Sequence, residues 1–283
     1  MKKTKRLNNG NEIPVLGFGT WQIWDQKVAA ESVRNALEIG YKHIDTAEVY
    51  ENEEGVGQGI KDSKILRKDL FLTTKVWTNH CTFKKAKEAL YKSLERLNTD
   101  YVDLYLIHWP TVNTMVETWQ ALEELQKEGV TKNIGFSNFN SHHIDEILKY
   151  AKVVPQINQV ECHPVFQQKP LRAYCLDKGI AIEAWAPLVK GSFFTNETVL
   201  EIAKKYGVTA AQVILNFEIS EGLIVLPKSI HKERIEENFK TLDFMLDKED
   251  IEKMRALDTG KRLFRDPDNH GFSVETESVN PNK

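Results

Sequence analysis

The sequence predicts an α/β protein built as a (β/α)8, TIM-type barrel, with an N-terminal β-hairpin and a C-terminal loop or tail over the barrel mouth. Three observations lead there. Short apolar runs alternate with amphipathic segments along most of the chain, and eight such units can be drawn. The 283 residues also suit one barrel at least as well as the two smaller domains a ~150-residue prior would suggest. Strands separated by helices demand parallel pairing with right-handed crossovers, and eight such units close into a ring more naturally than they form an open sheet.

The elements follow in order. Asn9-Gly10 is a hairpin turn signal, so residues 1–20 read as a small hairpin ending near Val15 to Gly19. Apolar runs place strands at His43 to Asp45, Leu70 to Val76, Val102 to Trp109, Asn133 to Ser137, Gln156 to Glu161, Ile180 to Ala186 and Leu223 to Pro227. A weaker eighth falls at Leu242 to Phe244. Apolar residues at three-to-four spacing place helices at Val28 to Ile39, Phe83 to Leu97, Val116 to Lys127, Ser141 to Tyr150, Pro170 to Lys178, Val199 to Phe217 with a break at Gly207, Lys232 to Phe239 and Lys248 to Leu257. Gly40, Gly129, Gly179 and Gly207 stand where left-handed C-caps are wanted, and Asp247 is placed as an N-cap. No Pro/Ser linker divides the chain, so 1–283 reads as a single domain. Residues 258–283 lose the apolar period and form the tail.

Composition narrows the partners. With 38 Lys and Arg against 41 Asp and Glu, the net charge of −3 offers nucleic acid no long-range attraction. Cys81, Cys162 and Cys175 are odd in number and lack a CxxC pair, which suits free thiols in a reducing compartment. The basic start, Met1 to Arg6, runs into Leu7 to Glu12 instead of an apolar signal core, and no run approaches the ~20 apolar residues of a membrane span. A cytoplasmic protein without a membrane partner is expected, and a monomer by default.

In a barrel of this kind, function belongs at the C-terminal ends of the strands. Three adjacent runs end in reactive groups: Asp45 with Tyr50 just beyond it, Lys75 followed by Trp77, and His108 followed by Trp109. A lone lysine there is usually a salt-bridge residue and a lone histidine a satisfied core residue. Four such groups together are harder to dismiss. Lys75 beside Asp45 stays charged, and its field favours phenolate at Tyr50, lowering a pKa of about 10 and making Tyr50 a proton donor. A neutral His108 orients a carbonyl oxygen. The set suits carbonyl reduction, and no side chain supplies hydride, so a nicotinamide cofactor is required. Farther along, Lys228, Ser229 and Arg234 put two cations beside a helix N-terminus, a phosphate site whose guanidinium favours the 2′-phosphate of NADPH. Trp21, Trp77 and Trp109 read as the apolar wall of a mouth for a small carbonyl substrate, which Arg262 to Phe272 is placed to close.

These residues stand in motifs that resemble the aldo-keto reductase superfamily, in particular its prostaglandin F synthase and diketogluconate reductase-like group. The motifs are Gly17-Phe18-Gly19-Thr20-Trp21, Asp45-Thr46-Ala47-Glu48-Val49-Tyr50, Asn52 to Gly57, Lys75, Ile107-His108-Trp109-Pro110, Ile134 to Phe139, Gln159-Val160-Glu161 and Leu226-Pro227-Lys228-Ser229. The resemblance implies a catalytic tetrad of Asp45, Tyr50, Lys75 and His108, with Tyr50 as the acid in reduction of aldehydes and ketones, α-dicarbonyls and sugars among them. It implies that Ser137, Asn138 and Gln159 fix the nicotinamide carboxamide and that Trp185 stacks on the ring. By the same similarity Ser229 and Arg234 contact the 2′-phosphate, while Glu237 and Asn238 face the adenine. Ala186 stands where many relatives have serine, and backbone amides around Leu188 to Gly191 are expected to compensate at the pyrophosphate. Lys132-Asn133 replaces the usual arginine at a position assigned to structure.

Rival readings are weaker. Gly17-Phe18-Gly19 and Gly55 to Gly59 lack the strand–GxGxxG–helix context of a Rossmann site and read as turns. His142-His143 and Cys162-His163 are adjacent pairs whose side chains are expected to point apart, so no metal is assigned. A Schiff-base aldolase using Lys75 leaves the phosphate site unexplained, and a non-catalytic NADP(H)-sensing protein leaves the tetrad unexplained.

Overall fold

The computed structural model describes residues 3–272 and 278–281; Met1, Lys2 and the parts of the tail at 273–277 and 282–283 lie outside the described residues. The chain opens with a hairpin of β1 (Thr4–Arg6) and β2 (Glu12–Pro14), turned at Gly10 with φ +90°. Leu7 and Ile13 point from it into a cluster with Phe71, Leu104, Leu106, Ile157, Ala181 and Ile224, so the hairpin plugs the N-terminal end of the barrel.

Eight parallel strands follow: β3 (Phe18–Gly19), β4 (His43–Asp45), β5 (Phe71–Val76), β6 (Val102–Ile107), β7 (Thr131–Ser137), β8 (Ile157–Glu161), β9 (Ala181–Trp185) and β10 (Ile224–Leu226). Each pairs with the next. The ring closes where Leu16 bridges Val225 and where Gly19 N–H donates to Pro227 O at 3.1 Å. Around it run α1 (Gln26–Ile39), α2 (Glu53–Ser63), α3 (Phe83–Leu97), α4 (Met115–Glu128), α5 (Ser141–Leu148), α6 (Lys169–Asp177), α7 (Glu197–Tyr206), α8 (Ala210–Ser220), α9 (Lys232–Phe239) and α10 (Lys248–Arg255). The main core lies between strands and helices, and a separate cluster packs α7 and α10 on α8 through Val199, Ile202, Phe217, Leu246 and Met254.

Two sequence expectations need correction. The eighth strand is Phe18–Gly19, not Leu242 to Phe244, where Lys240–Asp243 forms a 3-10 turn. A two-residue strand is too short to show a period, and Gly17 just before it marks close packing instead of a turn: a Cβ there would sit 2.6 Å from His43 Nδ1. Gly55, Gly57 and Gly59 likewise belong to α2, which the sequence reading missed. Their missing side chains let α2 approach its neighbours, since a Cβ would lie 2.4 Å from Gln26 O, 2.7 Å from Leu97 O and 2.4 Å from Ala30 O respectively. Other local signals hold. Gly207 (φ +65°) separates α7 from α8, Thr209 and Gln212 form a capping box, and Asp247 caps α10.

Candidate active site

Strand register carries the four proposed catalytic groups to one end. Asp45 finishes β4, Lys75 is next to last in β5, and His108 follows β6. Tyr50 comes from the 3-10 turn Glu48–Tyr50, which Asn52 holds from beneath. The buried Asn52 accepts from Thr46 Oγ1 at 2.8 Å and donates to Thr20 O and Ile23 O, both at 3.0 Å. Lys75 Nζ donates to Asp45 Oδ1 at 2.6 Å and Thr46 O at 2.9 Å, and stands 3.4 Å from Tyr50 Oη. The rings of Tyr50 and His108 lie 5.5 Å apart.

The electrostatics follow from this geometry. Burial pulls Lys75 down, but Asp45 and Tyr50 more than reverse it, and the ammonium holds its proton above the ordinary lysine range. This charged state also argues against an amine nucleophile. Burial raises Asp45, with Lys75 and Gln159 opposing. Burial and Lys75 hold His108 well below the usual imidazole range, so it is neutral. For Tyr50 the expected lowering is overturned: burial outweighs Lys75 and pushes the phenol up to about 12. Tyr50 is therefore fully protonated at neutral pH, and Lys75 moderates the cost of burial without reversing it.

The remaining predicted residues take these places. Ser137 Oγ donates to Gln159 O, and Asn138 Nδ2 donates to His108 O at 3.0 Å while its Oδ1 accepts from Trp185 Nε1 at 2.9 Å. Gln159 Nε2 donates to Asp45 Oδ2 at 2.8 Å, so nicotinamide-type polar groups and the tetrad share one network. Trp21 lies 4.7 Å from the Tyr50 ring, Trp77 lies 5.1 Å from His108, and Trp77 and Trp109 are buried with Tyr50 in one apolar cluster. Lys228 follows β10, between Gly19 and Trp185, and neither Lys228 nor Arg234 has an ion-pair partner among the described residues. Ser229 Oγ accepts His231 N–H at the start of α9, which carries Arg234 and the buried Asn238. Glu237 is engaged by Thr209 Oγ1 at 2.8 Å. Beyond the half-buried Leu188, the N–H groups of Val189 and Gly191 are spent within their own turn, so only part of the expected backbone donor set is free. Ala186, Val189 and Lys190 there all have φ near +50°, a left-handed backbone that costs about 1–3 kcal/mol at a non-glycine residue. Lys132 and Asn133 lie on the opposite side, bonded to Asp103 and to the hairpin residues Asn9 and Asn11.

Several contributors were not read from the sequence. Half-buried Glu48 accepts the Trp77 N–H and pairs with His80, fixing the loop that presents Trp77. Glu161 accepts from Leu263 N and Phe264 N and so ties the tail to β8. Phe264 then meets Trp185, and Phe272 packs on Trp77 (4.8 Å) and Trp109 (5.5 Å). The expected closure by Arg262 to Phe272 is thus seen in contact. The His142 and His143 side chains do not point apart as expected: their rings are 4.0 Å apart and both face Asp268 of the tail. His143 Nδ1 accepts the Asn140 N–H, which leaves its proton on Nε2 toward Asp268. A metal at that Nε2 would need the opposite tautomer, so the trio reads as a latch for the tail.

The polar cluster of Ser137, Asn138 and Gln159, the flanking Trp185, and Lys228 and Arg234 after β10, without ion-pair partners among the described residues, are of the chemistry a nicotinamide dinucleotide phosphate needs. Comparison with known proteins agrees with that class of site. The profile of the Aldo/keto reductase family matches residues 15–259, and the chain belongs to that family. It is 47% identical over 95% of its length to the glyoxal reductase of Bacillus subtilis, covering 97% of that protein. It is 44% identical over 94% of its length to methylglyoxal reductase DkgA of Escherichia coli, again covering 97%. A mutant of Gox0644 solved in complex with NADPH superposes with a TM-score of 0.92 at 38% identity, over 96% of this chain and all of that one.

Proposed function

We propose that this protein reduces small aldehydes and ketones, α-dicarbonyls of the glyoxal type foremost, with NADPH as reductant. The observation that carries the reading is the Lys75 ammonium 3.4 Å from Tyr50 Oη, with Asp45 behind it and a neutral His108 beside it. Ser137, Asn138, Gln159 and Trp185 would hold the nicotinamide, and Leu188, Lys228, Ser229, Arg234, Glu237 and Asn238 the rest of the dinucleotide. When bound, the reduced cofactor supplies the hydride that no side chain here can provide.

The chain's own task is the proton. Tyr50 Oη, protonated at neutral pH, gives its hydrogen to the carbonyl oxygen as negative charge develops there, and Lys75 stabilises the phenolate left behind. Asp45 keeps Lys75 charged and aimed. His108, neutral, orients the substrate oxygen without competing as an acid. Trp21, Trp77, Trp109 and the tail residue Phe272 exclude water and offer carbon surface with few polar groups, which favours a broad range of small substrates over one hydrogen-bonded sugar.

The four proposed catalytic groups and the apolar wall meet at the mouth of a single barrel, so the proposed chemistry as a monomer needs no residue from a second copy. The three cysteines are free and buried, which supports a reducing, cytoplasmic setting. The test is NADPH consumption, followed by absorbance, with methylglyoxal, glyoxal, benzaldehydes and aldoses. Turnover of methylglyoxal with NADPH is expected, with aldoses poorer. Binding of NADPH without turnover of any carbonyl would refute the reading.

A further inference from the structure

Glu183 is the buried acid that the chemistry above leaves unused. It lies on β9 inside the barrel, fully buried, in direct register with Gln159 on β8. Gln159 Nε2 donates to Glu183 Oε2 at 2.6 Å and to Asp45 Oδ2 at 2.8 Å. An amide nitrogen has two N–H groups, and both are spent here. Flipping the amide would set its oxygen against the Asp45 carboxylate, which has no proton to give while it is paired with Lys75, so chemistry fixes the orientation. Gln159 Oε1 accepts from no protein donor among the described residues.

We propose that Glu183 is a positioning residue: with Asp45 it clamps the Gln159 amide nitrogen, so that Oε1 is presented as a fixed acceptor for the carboxamide N–H2 of the nicotinamide. The inference rests on the NADPH reading above. The remainder of the Glu183 environment supports it. Glu183 Oε1 is buried without a hydrogen bond, 3.6 Å from His43 Nε2. An apolar residue would fill that volume without the desolvation cost, so the bond to Gln159 is what the carboxyl contributes. The charged or titratable groups facing it are His43 and Asp45 on β4, Lys75 on β5 and, more remotely, Tyr50; β10 on its other side offers Ile224–Leu226 only. Burial and Asp45 push Glu183 up to about 8, so at neutral pH it holds its proton and leaves the Asp45–Lys75 pair as the charge balance of the barrel interior.

The test compares two ligands on one set of variants. Glu183→Met keeps the volume and removes the acceptor. It is expected to weaken NADPH binding about tenfold while adenosine 2′,5′-bisphosphate, which lacks the nicotinamide, binds within about twofold of wild type. Glu183→Gln, which still offers an amide oxygen to Gln159, should recover most of the NADPH affinity. Adding Glu183→Met to Gln159→Leu should cost little more than Gln159→Leu alone, because the two act through one contact. Equal losses for both ligands, or unchanged NADPH binding in Glu183→Met, would overturn the proposal. Wild-type protein that failed to bind NADPH at all would instead overturn the function on which it rests. Should Glu183→Met not fold, the Glu183→Gln protein decides: NADPH affinity down as much as in Gln159→Leu would contradict the clamp.

Discussion

Lys75→Met removes the cation hydrogen-bonded to the Tyr50 hydroxyl and keeps the side-chain volume. At 3.4 Å and an effective dielectric of about 20, the ammonium stabilises a full phenolate by about 5 kcal/mol. With roughly half that charge developed at the transition state, the loss is about 2–3 kcal/mol, or about a hundredfold in kcat. The substitution also leaves Asp45 buried beside no cation, an arrangement that destabilises a fold by about 3–5 kcal/mol unless the carboxyl takes up a proton. Asp45→Asn/Lys75→Met removes both charges together and separates the two effects. The assay is kcat on methylglyoxal with saturating NADPH, alongside NADPH affinity from tryptophan fluorescence and unfolding in urea. We expect kcat near one-hundredth of wild type in both variants, NADPH affinity little changed, and stability regained only in the double variant. A kcat for Lys75→Met within about threefold of wild type would refute the electrostatic role.

Three further outcomes follow. Arg234→Ala should raise KM for NADPH by about ten- to a hundredfold and leave KM for NADH unchanged, as expected for loss of a charge-assisted bond to a 2′-phosphate; equal effects on both cofactors would remove that assignment. Glu183 holds its proton up to about 8 when folded against 4.5 otherwise, so the folded chain binds more protons between those values and stability falls as pH rises through them. Glu183→Gln lacks this slope, and urea unfolding should shift in its favour by about 3 kcal/mol between pH 5 and pH 7.5; parallel curves for the two proteins would contradict the burial argument. Gly59→Ala would set a Cβ 2.4 Å from Ala30 O, and the overpacking should cost about 2 kcal/mol in the same assay without altering KM.

Seven of the eight barrel strands were legible because a parallel strand buried on both faces reads as a continuous apolar run. The polar residue that ends the run then marks the site, as with Asp45, Lys75 and His108. Phe18–Gly19 was not legible, since two residues show no period and the ring-closing bridge beside it, Leu16 to Val225, joins positions over two hundred apart. The helix α2 was hidden by Gly55, Gly57 and Gly59, whose role is close approach of backbones that only tertiary structure reveals. The Tyr50 pKa went the other way from the sequence argument because its sign depends on burial weighed against one distance. Glu183 had a signal that went unused: it is a lone acid inside the apolar run Ile180 to Ala186, where an unpaired charge is expensive. The convergence of His142, His143 and Asp268 depends on where the tail returns, which no local pattern encodes.

The central claim is that the Tyr50 hydroxyl delivers the proton to the carbonyl oxygen. Tyr50→Phe removes that one oxygen and keeps the ring that packs on Trp21 and beside His108. Its kcat for methylglyoxal should fall by about two to four orders of magnitude while NADPH binds as tightly as to the unaltered protein. Reduction at a near-normal rate by Tyr50→Phe would contradict the account.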